Sequence, residues 1–281
     1  MIRTMHTATN TLGQLQQHLD TIGNNVANVD THGYKSQKAS FREMLYQQHY
    51  NDKLDRAPRE SALGIRYGVG AKLGHVKTNE ATGSLQVTDR SLDFALTNPR
   101  HYFVIRHESM KAGDPLTRTE DVYTRKGNFY LSSNGNNTLT IVDEEGRSIL
   151  DENGNDIIVR DGVQDMKLSS DGELLVTYHD GPADTFRFAI YEIDRPDFLR
   201  RLPSGNLGLP ENLAELGVLP DEILRPVEQG DIRIQQGALE RSNVRLEEEL
   251  TDLISTQRLY QMNARTVTLA DQMLGIVNNI R

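Results

Sequence analysis

The residues best suited to chemistry are an acidic loop, a glycine-rich run and two histidine pairs. The loop, Asp151-Glu152-Asn153-Gly154-Asn155-Asp156, has the oxygen-rich composition of a calcium site, where hard carboxylate and carbonyl donors surround the ion. Its glycine stands in the fourth place rather than the sixth, and the twelfth place is Gly162 rather than a bidentate glutamate, so an ordinary β-turn is the better reading. The run Gly68-Val69-Gly70-Ala71-Lys72-Leu73-Gly74 neither follows a convincing strand nor opens a helix, as a phosphate cradle requires. His101 and His107, or His75 and His179, are metal-ligand types, but no two histidines sit at helical ligand spacing. There is no Gly-x-Ser-x-Gly elbow and no His-Glu-x-x-His pair. Cysteine is absent, which removes disulfides and thiolate metal sites. No catalytic, cofactor-binding or metal-ligating set emerges, and no cofactor is expected.

The elements that carry these residues point to a different kind of protein. Met5, Ala8, Leu12, Leu15, Leu19, Ile22, Val26 and Val29 step by three and four without a break. That is a heptad seam, the pattern of a helix lying along another helix. At about 1.5 Å per residue, residues 3–28 would reach roughly 40 Å. Asn28, Asp30 and Thr31 compete for backbone hydrogen bonds, and Gly33 can take the left-handed conformation that ends a helix. A second long helix is expected to begin near Ser242-Asn243, good N-cap types, with Glu247-Glu248-Glu249 favouring its positive end. Its seam comprises Leu246, Leu250, Leu253, Tyr260, Ala264, Val267, Leu274 and Val277. A second apolar line, Ile254, Leu269, Met273, Ile276 and Ile280, broadens it and asks for contacts on more than one side.

Between the helices the period changes. Turn signals at Asn134-Gly135, Glu145-Gly146, Asn153-Gly154, Asp161-Gly162, Asp171-Gly172 and Asp180-Gly181 recur eight to eleven residues apart. Short β-favouring runs lie between them, and Thr185 to Tyr191 alternates cleanly, which predicts an antiparallel domain. The expected class is α+β: long coiled-coil-like helices from both termini plus a mostly antiparallel β middle domain. The expected parts are an N-terminal helix in residues 1–35, a connector with some helix in 36–63, and a β-rich middle in 64–194. An irregular return with a short helix at 211–217 fills 195–228, and the C-terminal helix region is 229–281.

Charge fits this division. Residues 1–63 carry seven basic and six acidic side chains, and residues 229–281 carry six and seven, so the net −9 lies entirely between them. Near-neutral ends can meet copies of themselves, and an acidic middle keeps a subunit soluble. No basic track for nucleic acid is present. No apolar stretch is long enough to span a bilayer, and the N-terminus lacks the unbroken apolar core of a cleavable secretory signal.

The stretch from Asn24-Asn25-Val26-Ala27-Asn28 through Thr31-His32-Gly33-Tyr34-Lys35 resembles the N-terminal signature of the bacterial flagellar rod and hook proteins. Leu92-Asp93-Phe94-Ala95-Leu96 and Tyr123-Thr124-Arg125-Lys126-Gly127-Asn128-Phe129 resemble that family's two central markers. Gln236-Gly237-Ala238-Leu239-Glu240-Arg241-Ser242-Asn243-Val244 and Gln257-Arg258-Leu259-Tyr260-Gln261-Met262-Asn263 resemble its C-terminal signature. In size and in its single middle domain the chain is most similar to the distal rod proteins. After Leu96 it departs from the family's Gly-rich bridge and paired phenylalanines, having Thr97-Asn98-Pro99-Arg100-His101-Tyr102-Phe103.

The resemblance implies export through the flagellar type III apparatus as an unfolded chain, without a cleavable signal peptide, to the flagellar basal body. It further implies helical polymerisation with copies of itself and with neighbouring rod and hook proteins, torque transmission, and no turnover. Neither a nucleic acid nor membrane insertion is expected. The assembly residues are Leu12, Leu15, Leu19, Ile22 and Val26 on one helix and Leu246, Leu250, Leu253, Leu274 and Val277 on the other. Asn24, Asn25, Asn28, Thr31, Gly33 and Tyr34 form the rod motif. For its asparagines, helix-end solvation and intersubunit hydrogen bonding are both open. The alternatives are a secreted or surface binding module with a helical stalk, and a hook-type paralogue.

Overall fold

A computed structural model describes residues 2–43, 47–49, 65–67, 71–109, 118–135, 137–169, 172–179, 181–210, 213, 217 and 219–279. Gly68–Gly70 of the glycine-rich run, Ile280 and most of the expected helix at 211–217 lie outside these residues. The chain forms two compact units. The first comprises residues 1–27, 37–77 and 245–281, and the second comprises 28–36 and 78–244.

In the first unit, helix α1 (Ile2–Ala27) packs along helix α2 (Leu246–Asn279). Ala8, Leu15 and Ile22, seven residues apart, are buried, and Leu12, Leu19 and Val26 are half-buried. On α2 the covered stripe is Leu253, Thr256, Tyr260, Ala264, Val267, Ala270 and Leu274. Among the described residues, no helix is long and apolar enough to cross a membrane.

Strand β1 (Gln37–Glu43) pairs with β4 (Ala71–Thr78), and β2 (Gln47–His49) pairs antiparallel with β3 (Ile65–Tyr67). Residues 37–43 are therefore strand where some helix was expected. Pairing with β4 and packing beside α1 override a weak local preference. The Phe41 ring meets His18 edge-on at 5.1 Å, and the Gln14 side chain accepts a hydrogen bond from the Leu73 amide at 2.6 Å.

The second unit is mostly antiparallel β. Its strands are β5 (Leu85–Val87), β6 (Phe94–Leu96), β7 (His101–Ser109), β8 (Arg118–Thr124), β9 (Tyr130–Ser133), β10 (Thr138–Val142) and β11 (Ile158–Arg160). They continue as β12 (Val163–Leu168), β13 (Glu173–Tyr178), β14 (Asp184–Arg187), β15 (Ile190–Ile193), β16 (Arg200–Arg201), β17 (Leu207–Gly208), β18 (Leu224–Pro226), β19 (Ile234–Gln236) and β20 (Ala238–Glu240). A six-stranded sheet has the order β16-β17-β8-β7-β15-β18. Two three-stranded sheets have the orders β11-β10-β9 and β12-β13-β14, and β19 pairs with β6 as β20 pairs with β5. Both faces of the central hairpin β7–β8 are covered. Phe103, Ile105 and Val122 enter the main core, while Tyr102, Val104 and Tyr123 enter a second one. In the main core Phe94 and Phe188 meet edge-to-face at 5.1 Å, as do Phe103 and Phe129 at 5.4 Å, a geometry worth about 1 kcal/mol per pair beyond area burial.

Candidate functional site

The four stretches that the sequence singles out in residues 24–129 and 236–244 converge on one buried carboxylate, Glu240. Strand β20 places its side chain, 1% exposed, inside the second unit. Lys35 Nζ donates to Glu240 Oε1 at 2.7 Å, and the Gly83 amide donates to the same oxygen at 2.9 Å. Arg125 Nε donates to Oε2 at 2.7 Å, and Nη2 forms an ion pair with the same oxygen at 2.6 Å. Arg125 Nη1 donates to the carbonyls of Asn98 (2.7 Å) and His101 (2.8 Å), and Nη2 donates to that of Leu96 (2.9 Å). Four guanidinium hydrogens are thereby placed on named acceptors. Lys35 is complete, its other two hydrogens reaching the carbonyls of Ala81 (2.9 Å) and Glu80 (3.5 Å). Two cations share one anion, and backbone carbonyl dipoles take up the excess positive charge.

Gly33 makes this convergence possible. Its φ is +69°, and a Cβ there would lie 2.8 Å from the Arg125 carbonyl carbon. Its amide donates to the Glu240 carbonyl at 2.8 Å. Glycine is required both for the left-handed turn and for the close approach. Thr31 holds the preceding turn through its amide to the Asn28 carbonyl and its hydroxyl to Asn28 Oδ1, both at 3.2 Å, and the Tyr34 ring is buried. Asn243, expected as a helix cap, does something else. Its Oδ1 accepts from the Ser36 amide at 2.7 Å, and its Nδ2 donates to the Asn79 and Ala81 carbonyls at 2.8 Å.

Burial, and then the Arg125 cation, push the Lys35 ammonium down to about 8 from an ordinary 10.5, against the opposing pull of Glu240. Above that pH the folded chain sheds a proton that the unfolded chain keeps, so Lys35 contributes stability that rises from pH 8 toward 10.5. Urea titrations across this window should show the wild type gaining stability relative to Lys35→Met. A difference that does not change with pH would rule Lys35 out as the titrating group. His101 is also buried, and that burial lowers its pKa and favours the neutral ring, with Nε2 3.0 Å from the Asn98 amide nitrogen.

In the first unit Asn25, 1% exposed, has an intramolecular role. Its Nδ2 donates to the Gln37 carbonyl at 2.8 Å and to Glu249 Oε1 at 3.0 Å, and its Oδ1 accepts from the Gln37 amide at 2.9 Å. One amide thus joins α1, β1 and the first turn of α2. Asn25→Asp removes both donors and sets a carboxylate against Glu249. It should cost the helix pair about 2–4 kcal/mol, read as a lower midpoint in the thermal loss of helical circular dichroism; an unchanged midpoint contradicts this role.

The other residues singled out by sequence are dispersed. Asn24 is on the exposed side of α1. Leu12, Leu15, Leu19, Ile22, Val26, Leu253 and Leu274 lie on the covered faces of the two helices, whereas Leu246, Leu250 and Val277 are exposed. The acidic loop is a capped turn, with Asp151 Oδ1 accepting from the amides of Asn153 (2.9 Å) and Asn155 (2.8 Å). Sequence reasoning did not single out Lys35, Arg125 or Glu240. The sequence offered only that each of the three lies inside one of the stretches that carry the resemblance, beside another charged residue in two of them, Lys126 and Arg241.

The comparisons agree on one family. Residues 5–35 match the family model described as flagella basal body rod protein, and residues 235–280 match the flagellar basal body rod FlgEFG protein C-terminal model. The chain is 36% identical to the flagellar hook-basal body complex protein FlhP of Bacillus subtilis (strain 168), covering 100% of both chains. It is 28% identical to the flagellar basal-body rod protein FlgG of the same strain, again over 100% of both. Identity to FlgG of Borreliella burgdorferi is 29%, over 100% of this chain and 99% of that protein.

Proposed function

This chain belongs to the flagellar basal-body rod and hook protein family, and from that premise we propose that it is a structural subunit of the distal rod. Its terminal helices join it to further copies and to neighbouring rod and hook proteins, and the assembled tube transmits torque. It performs no catalytic turnover. The chain reaches its place unfolded, through the flagellar export apparatus, and the pair α1–α2 gains further helix contacts in the assembly.

One observation carries this reading. After α1 has covered one stripe of α2, the opposite side still presents Ile254, Met262, Leu269, Met273 and Ile276, each between 47% and 64% exposed. An apolar face of that extent on a helix whose other side is already packed marks an interaction surface. Charge permits copies to meet there, because the terminal regions are close to neutral while the middle carries the acidic excess.

The test is location. Purified hook–basal bodies should contain the protein in the rod, and a strain lacking it should not swim. Its absence from those particles, together with normal motility of the deletion strain, would overturn the assignment.

A further inference from the structure

We infer that Ile234–Asn243 is the closing element of the second unit, which does not complete its fold until this late segment is free to dock. Each part of the segment supplies something that nothing else among the described residues of the unit supplies. Strands β19 and β20 are the partners of β6 and β5. The Gln236 side chain accepts from the Leu168 amide at 2.9 Å and donates to the carbonyls of Ser91 and Met166 at 2.7 Å. Glu240 is the carboxylate to which the buried Lys35 and Arg125 are bonded. Asn243 satisfies the Ser36 amide.

Without this segment two cations would be buried with their carboxylate missing, a state far costlier than leaving them in water. The unit therefore cannot reach its final packing with the segment absent. The partners of the segment lie far back in the chain, 205 residues in the case of Lys35. Contacts of such separation form late, because the loop between them must be ordered before they contribute. Every other strand of the unit precedes position 234, so the order of synthesis reinforces the order of folding.

The consequence is a chain that stays open while its last fifty or so residues are held extended. Its use rests on the reading that the protein leaves the cell unfolded through a narrow conduit: a chain that cannot close early remains threadable until nearly all of it has passed.

The folding order can be measured without export. Nascent chains that end at graded positions from residue 234 to residue 281, the longest carrying a further unstructured extension, and that close on a translational arrest peptide report folding as release from arrest. The largest rise in release is expected at the lengths where residues 234–243 leave the ribosomal tunnel. Glu240→Ala should lose that rise, and Glu247→Ala, which lies outside the unit, should keep it. A largest rise already reached while 234–243 are still inside the tunnel overturns the inference, as does a full late rise in Glu240→Ala. Should the chain close late yet be absent from hook–basal bodies, the closing element stands and the assignment to the rod falls.

Discussion

Replacing Glu240 by alanine is expected to cost the second unit about 3–5 kcal/mol, a large part of the roughly 5–15 kcal/mol that holds a domain folded. The loss does not come from the attraction of a single ion pair. Lys35 and Arg125 are 7% and 1% exposed, and in the variant Arg125 keeps its charge without its carboxylate while Lys35 either keeps its own or gives up a proton that it holds in water, a cost in each case. Urea denaturation followed by circular dichroism should show a lower midpoint with the slope retained. A double-mutant cycle sharpens the result: Lys35→Met should cost less in the Glu240→Ala background than in the wild type, because the stranded cation is then gone. Additive effects would mean that the two side chains are not coupled. Replacing Arg125 as well should not restore stability, because the carbonyls of Leu96, Asn98 and His101 would lose their donor.

The parts of this fold that were legible in the sequence are those set by local backbone requirements. The glycines expected in turns, including Gly135, Gly146, Gly154 and Gly162, have positive φ, as does Gly33 at the stop of the first helix. The three- and four-residue steps of α1 were legible because one of its faces is covered and the other is not. What escaped was decided at a distance. Strand β7 gives no period-two pattern, because Tyr102, Phe103, Val104 and Ile105 are buried on both faces of the sheet. The run Thr185–Tyr191 alternates like one strand, yet the chain changes sheets near Phe188, leaving β14 beside β13 and β15 beside β7. Residues 234–240 precede a strong helix and fall within the expected helix region 229–281, although their hydrogen-bond partners lie in β5 and β6.

The buried charges illustrate the same limit. A lysine, arginine or glutamate in isolation is read as solvated, since such residues are rarely buried unless paired. The pairing here joins positions 35, 125 and 240, and no window of sequence contains more than one of them. Asn25 behaves similarly: its type is that of a helix end, but its partners Gln37 and Glu249 show a side chain that fastens three elements. Motif positions near helix ends can therefore be structural joints within one subunit, and that changes which substitutions test assembly.

Leu269→Asp and Ile276→Asp should prevent association through the helices while leaving each subunit folded. Both side chains are more than half exposed on the face of α2 opposite the stripe covered by α1. Aspartate there leaves the stripe packed against α1 untouched, and helical circular dichroism of the dilute protein should be unchanged. Burying one leucine or isoleucine contributes about 1.5–3 kcal/mol, and an unpaired carboxylate in its place adds a desolvation penalty. Association should therefore weaken by at least ~100-fold per contact, enough to lose incorporation into a polymer in which every copy repeats the defect. Substitutions at Leu19 or Leu253 cannot separate the two levels, because those residues are half-buried against the subunit's own helix pair. Sedimentation of the purified variants, together with motility of strains carrying them, gives the answer. Wild-type self-association and normal swimming in both strains would mean that the outward face of α2 is not where the copies meet.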